Sequence, residues 1–342
     1  MPDCKLNNIS VAGISCAVPK RKATESDLAV AFGEKAARRL VSGTGVKERR
    51  IDPGLCTSDL CFAAAERLLD DLGWERDTIN HLIFISQTAD YVFPATACVL
   101  QGRLNLSTDC TAFDVNLGCS AYPYGLWLAG KLMEAGQRVL LLVGDNISML
   151  VNADDRSTVP LFGDAGSATA LEWSNEMGNS EISFLLGTDG SGYKNIIVEA
   201  GGCRLPTFKD PAQRHLFMNG AEVFGFAIQG VPPLVEKTLK YAGWKPENCD
   251  DIVFHQANGF MLKHLAEKLN APLKKVPMCL ENYGNTSSAS IPLTLVTERR
   301  DELRQQIRNY LLVGFGAGWS WGAAALELGQ ICVPELIELE SL

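Results

Sequence analysis

The sequence predicts an α/β chain made of two similar halves, and three observations carry that prediction. Short apolar runs alternate with longer amphipathic ones from end to end, the pattern of buried, largely parallel strands joined by helices. A helix–glycine–tryptophan–strand unit occurs twice at one spacing: Gly73 and Trp74 precede a strand candidate at 81–86, and Gly243 and Trp244 precede one at 251–256. A glycine turn feeding a small-residue strand also occurs twice, at 163–172 and 318–327, in the same order. Two ordered repeats point to a duplicated unit rather than to unrelated domains.

Taken along the chain, strands are expected at 82–85, 138–143, 252–254 and 310–313, and helices at 59–72, 121–135, 225–242 and 261–269. Gly73 and Gly243 fall just past two helix ends, where glycine accepts the left-handed turn that stops a helix. The seam falls at 173–183, giving an N-terminal half at 1–175 and a C-terminal half at 176–342. With 342 residues, 46% of them hydrophobic and 21% charged, the chain can bury a core without staples. The longest uncharged stretch, 310–326, is broken by Gly314, Gly316, Gly318 and Gly322. About 20 apolar residues are needed to span a bilayer, so no membrane segment is expected.

A net charge of −9 argues against nucleic acid as the main partner, because phosphate binding needs a basic field. Eleven cysteines are scattered with no C-x-x-C pair, which fits neither a disulfide framework nor a zinc site. The first residues lack the apolar run of a signal peptide. Reduced thiols in a cytoplasmic protein are the expectation.

One cysteine stands apart. Cys119 follows a strand-like run and a turn at Gly118, and precedes a helix. The free N–H groups and dipole of a helix N-terminus favour a thiolate and are expected to lower its pKa. The same N–H groups suit a carbonyl oxygen that turns negative during attack. Among four histidines, His255 alone follows a buried strand directly, at the strand end where α/β proteins build sites. His81, His215 and His264 read as surface residues. Asn285 lies in a polar loop between Gly284 and Thr286; such loops are usually plain turns, and an amide donating to an oxyanion is the functional reading that the sequence allows without compelling it.

Together, Gly118-Cys119-Ser120-Ala121, His255-Gln256-Ala257-Asn258 and Gly284-Asn285-Thr286-Ser287 resemble the Cys-His-Asn site of the β-ketoacyl-acyl-carrier-protein synthase III family. That family belongs to the thiolase superfamily. Motifs at 44–50, 93–97, 162–166 and 316–322 match in order, so the resemblance runs from about residue 11 to 328. It implies a thiolase-like fold, internally duplicated in five layers α-β-α-β-α and usually homodimeric. The nucleophile Cys119 then lies in the first half, and His255 and Asn285 in the second.

The resemblance also implies the reaction. Cys119 takes an acyl group from a thioester primer, with the backbone N–H groups of Cys119 and Ala317 as the oxyanion hole. A malonyl thioester then loses carbon dioxide, and its enolate, held by His255 and Asn285, attacks the acyl-Cys119 carbonyl in a decarboxylative Claisen condensation. Phe93 and Phe315 would wall the pocket, while Arg156, Asn258, Lys263 and Lys268 would meet the substrate or its carrier. The substrates would be coenzyme A or acyl-carrier-protein thioesters, with no metal or redox cofactor. Departures fall at the carrier-binding mouth. An aromatic residue that stacks on adenine falls at Arg39, an arginine at Gly43 and an asparagine at Ala221. Another arginine is replaced where Gly259 and Phe260 follow Asn258. The alternative is transfer of the acyl group to an alcohol or amine without condensation, with His255 as general base.

Overall fold

All eight expected elements form in the computed structural model, which describes residues 3–7, 9–174 and 181–341. The strands are His81–Ile85, Arg138–Asp145, Asp251–Phe254 and Arg308–Gly316. Leu140, Leu141, Val253 and Leu312 in them are fully buried, as continuous apolar strands must be when both faces of a sheet are covered. The helices are Thr57–Leu72, Ala121–Leu132, Gly220–Ala242 and Gly259–Lys268. The third starts five residues before its expected position because the Asn219 side chain caps it, accepting from Glu222 N–H. Gly73 (φ 64°) and Gly243 (φ 75°) end their helices in the left-handed conformation.

The strands lie in two sheets. The first runs Ile337–Leu339, Ile9–Pro19, Ala165–Trp173, Arg138–Asp145, His81–Ile85, Thr111–Val115; the second runs Asp3–Leu6, Ile182–Thr188, Ser320–Leu328, Arg308–Gly316, Asp251–Phe254. In the first sheet Ile9–Pro19 pairs antiparallel with Ala165–Trp173, which pairs antiparallel with Arg138–Asp145, which is parallel to His81–Ile85. Ile182–Thr188, Ser320–Leu328, Arg308–Gly316 and Asp251–Phe254 repeat that series in the second. The two sequence echoes therefore mark equivalent strands. The end strands cross over: Asp3–Leu6 joins the second sheet and Ile337–Leu339 the first. Part of the expected seam, 175–180, lies outside the described residues.

Five layers result. Helices Ala121–Leu132 and Ser290–Glu298 fill the middle, where Tyr122, Leu126, Ile291 and Leu295 share one core with Leu141 and Leu312 from the two sheets. Thr57–Leu72 and Thr96–Arg103 cover the outer face of the first sheet, Gly220–Ala242 and Gly259–Lys268 that of the second. This is the thiolase-like α/β fold, internally duplicated. Among the described residues, no helix is long and apolar enough to cross a membrane.

Candidate active site

The segments just past two strand ends and the loop after the short helix Leu280–Tyr283 meet between the halves, and each brings one reactive side chain. Cys119 lies four residues beyond Thr111–Val115, His255 directly follows Asp251–Phe254, and Asn285 sits in the loop before Ser290–Glu298. All three line one pocket. Asn285 is held by the other half of the chain: its N–H donates to Leu161 C=O at 2.8 Å, and its C=O accepts from Gly163 N–H at 3.1 Å. Its side-chain Oδ1 accepts from Ser287 N–H at 2.9 Å and its Nδ2 donates weakly to Ala257 C=O at 3.3 Å. One amide hydrogen remains for a ligand.

His255 is buried, with its ring edge-on to Phe315 at 5.7 Å. Its Nδ1 is 2.8 Å from Ser290 Oγ, which leaves Nε2 for a ligand. Burial pushes its pKa down to about 4, opposed by a hydrogen bond with the Ser287 backbone, so the imidazole is neutral at pH 7. The folded state therefore binds fewer protons than the unfolded chain between pH 4 and 6.5, and this term lowers stability as pH falls through that window. Its size is roughly 3 kcal/mol at full protonation of the unfolded state. Buried Asp164, raised to about 7, contributes with the opposite slope. A His255→Gln variant is thus expected to lose less stability than the wild type between pH 6.5 and 4.5 in guanidinium denaturation. Equal losses would contradict the neutral buried imidazole.

Cys119 is half-buried, and it differs from the expected acidic thiol. Burial first, then the charge of Asp145, push its pKa up to about 12. The Ser287 hydroxyl and the N–H groups of Cys119 and Ala317 pull it down, but desolvation wins over these donors and the helix end. Those two N–H groups facing the sulfur are the pair expected to form an oxyanion hole. The turn carrying Ala317 is held by a hydroxyl chain: Ser320 Oγ donates to Ala317 C=O at 2.8 Å and lies 2.7 Å from Ser120 Oγ.

Glycine is required where this turn meets the nucleophile. A Cβ on Gly316 would stand 2.7 Å from Cys119 Cβ and 2.9 Å from Sγ. Gly316→Ala is expected to displace the sulfur and slow its acylation about 10²-fold, since misplacing a reacting atom by about 1 Å costs that much. Single-turnover acylation followed by intact mass checks this, and an unchanged rate would contradict the packing.

The pocket brings together Cys119, His255, Asn285, Ala317, Phe315 and Asn258. Asn258 is committed to capping the helix Gly259–Lys268, its Oδ1 accepting from Met261 N–H at 2.8 Å. The other four sequence candidates lie elsewhere. Phe93 is 84% exposed, beside exposed Tyr91 and Val92 on a loop of the first half, rather than in the pocket wall of its own chain. Arg156 is exposed, its guanidinium 5.5 Å from the Phe32 ring, in a groove with Arg39. Lys263 and Lys268 are exposed on the helix Gly259–Lys268.

Several pocket residues escape sequence reasoning. Gln87 and Ser287 line it beside the triad. Its apolar lining includes Ile196 and Met218 from a small antiparallel strand pair, Ile196–Ile197 with Phe217–Met218, too short to give a periodic signal. Asp145, fully buried, accepts from Gln87 N–H at 2.7 Å and Ser288 N–H at 3.1 Å and so ties two pocket loops together. The acidic residue ending an otherwise apolar strand, Val143-Gly144-Asp145, was its one visible signal. All eleven cysteines are free thiols.

A thiolase-like fold that sets a cysteine, a neutral imidazole and an amide around an apolar pocket defines an acyl-transferring enzyme of the thiolase superfamily. Residues 113–190 match the family model described as 3-oxoacyl-[acyl-carrier-protein] synthase III, and residues 239–328 match the model of its C-terminal part. The chain is 33% identical over 330 residues to the β-ketoacyl-[acyl-carrier-protein] synthase III of Caldanaerobacter subterraneus, covering 95% of this chain and 99% of that protein. Among solved structures, the 3-oxoacyl-(acyl-carrier protein) synthase of Burkholderia xenovorans aligns with a TM-score of 0.95 at 43% identity, covering 99% of each chain. The synthase III of Pseudomonas aeruginosa aligns at 0.85 with 31% identity, over 95% of this chain and 100% of its own. The chain belongs to the 3-oxoacyl-[acyl-carrier-protein] synthase III family and is an acyltransferase of that type.

Proposed function

We propose that this enzyme joins an acyl thioester primer to a malonyl thioester by decarboxylative Claisen condensation through acyl-Cys119. The carrying observation is the convergence of Cys119, His255 and Asn285 on one pocket with two N–H groups aimed at the sulfur. In the first stage Cys119 attacks the primer carbonyl, and the Cys119 and Ala317 N–H groups take the negative oxygen. The carrier thiol leaves. In the second stage the malonyl carboxylate departs as carbon dioxide, and His255 and Asn285 hold the enolate oxygen by two hydrogen bonds. A neutral imidazole is the right partner here, since with Nδ1 accepting from the Ser290 hydroxyl its single N–H sits on Nε2 and can donate without a counter-charge. The carbanion attacks the acyl carbonyl, and Cys119 is released with a 3-ketoacyl product. Every developing charge meets an N–H group, so the chemistry calls for no metal or redox cofactor.

The primer carrier is either coenzyme A or an acyl carrier protein. Exposed Arg156, Lys263 and Lys268 offer positive charge to such acidic carriers on a chain of net charge −9. The rim itself is aromatic: exposed Phe260 stacks on Phe224 at 5.6 Å, and Phe224 lines the pocket. A cytoplasmic homodimer is the working form, and the exposed Tyr91, Val92 and Phe93 tip supports a second copy seated over that loop. Incubation with primer and malonyl thioesters, followed by product mass and carbon dioxide release, tests the function. A 3-ketoacyl product with stoichiometric carbon dioxide is expected. Acyl transfer to an alcohol or amine without carbon dioxide would replace the proposal with the simpler reaction.

A further inference from the structure

The ring of His255 is held from behind by a hydroxyl whose own direction is fixed. Ser290 opens the middle-layer helix Ser290–Glu298 and is 1% exposed. Its backbone is tied at both groups: its N–H donates to Ser287 C=O, and its C=O accepts from the Thr294 hydroxyl at 2.7 Å. Among the described residues its Oγ has two partners, His255 Nδ1 at 2.8 Å and Gln256 N–H at 3.3 Å. Gln256 is braced as well, since its side-chain amide donates to Phe254 C=O at 2.9 Å and accepts from Cys279 N–H at 3.1 Å.

These contacts decide which ring nitrogen carries the hydrogen. A hydroxyl has one hydrogen to give and two lone pairs to receive with. The Gln256 N–H can only donate, so it takes one lone pair of Ser290 Oγ and leaves the hydroxyl hydrogen for Nδ1. Nδ1 then has none of its own, and the neutral ring's single hydrogen sits on Nε2. The opposite tautomer would place two donors on Ser290 Oγ and leave its hydrogen buried without an acceptor. The Ser287 backbone beside the ring does not change this, because a ring N–H bonded there would still orphan the Ser290 hydrogen. One unpaired buried donor weights the equilibrium about 10- to 100-fold toward the Nε2–H form.

We propose that Ser290 is a positioning residue, whose hydroxyl locks His255 in the tautomer that donates from Nε2 to the enolate oxygen. The inference rests on the condensation reading above. Ser290 touches no substrate and acts only through the ring, since the partner of one imidazole nitrogen sets what the other presents. Its effect therefore falls on one half-reaction. Acylation of Cys119 uses the N–H groups of Cys119 and Ala317, whereas the enolate needs Nε2–H beside the Asn285 amide. The opposite tautomer would turn a lone pair toward that negative oxygen and repel it.

Nitrogen-15 NMR of the full chain labelled at histidine reads the tautomer directly, with His255→Gln identifying the signals of this ring. The wild type is expected to show a protonated Nε2 and a hydrogen-free Nδ1; a protonated Nδ1 would overturn the lock. Ser290→Ala frees both the tautomer and the ring orientation. It is expected to mix the two forms and to slow carbon dioxide release from malonyl-coenzyme A about 10-fold. Single-turnover acylation of Cys119 by an acyl-coenzyme A should stay within about threefold. Wild-type decarboxylation in Ser290→Ala would overturn the proposal. Equal losses in both half-reactions with an unchanged tautomer would also overturn it, reducing Ser290 to a structural support. A wild type that forms no acyl-Cys119 and releases no carbon dioxide would instead defeat the condensation reading. The NMR result needs no turnover, so it separates that failure from failure of the lock.

Discussion

Cys119→Ala is expected to abolish the acyl-enzyme and to lower condensation by about 10⁴-fold or more, the scale on which loss of a covalent nucleophile is felt. The argument is geometric. The pocket places no other thiol beside His255 and Asn285, and the two N–H groups that would take the oxyanion both face this sulfur. Malonyl decarboxylation should survive, because the enolate donors stay in place. Intact mass with and without primer checks the first half, and carbon dioxide release the second. An acyl adduct on the alanine variant would place the nucleophile elsewhere.

His255→Ala and Asn285→Ala are each expected to slow malonyl decarboxylation by about 10²–10³, the loss seen when one oxyanion donor is removed, or about 3–4 kcal/mol of barrier. Both donors serve a single oxygen, so the double variant should lose less than the product of the single losses. Burial sharpens the expectation, since His255 and Asn285 are 2% and 5% exposed and water cannot readily take their place. Carbon dioxide release from a malonyl thioester measures both. Wild-type decarboxylation in either variant would remove that residue from the enolate site.

Much of this was legible from residues alone, for physical reasons. The duplication showed because Gly73 and Gly243 perform one backbone task at equivalent helix ends, and because buried strands tolerate only apolar runs. His255 was visible because a polar residue directly after such a run stands at a sheet edge. Other features depend on distance in three dimensions. The Cys119 pKa illustrates this: the helix end is local and legible, but burial and Asp145, 26 residues away, decide the outcome. Ser290 looked like one small residue in a polar loop, and only its hydrogen bond to the His255 ring marks it. Phe93, expected at a pocket wall, is 84% exposed and lies outside the pocket lining of its own chain, a matter of tertiary placement that no local pattern encodes.

The central claim is that Cys119 carries the acyl group in a condensation. Intact-mass analysis of enzyme pulsed with an acyl thioester, then chased with a malonyl thioester, tests it most directly. The account predicts a single acyl adduct mapped to Cys119, which disappears on the chase as a 3-ketoacyl product and carbon dioxide appear together. An adduct on another residue, or loss of the adduct on the chase without carbon dioxide, would contradict it.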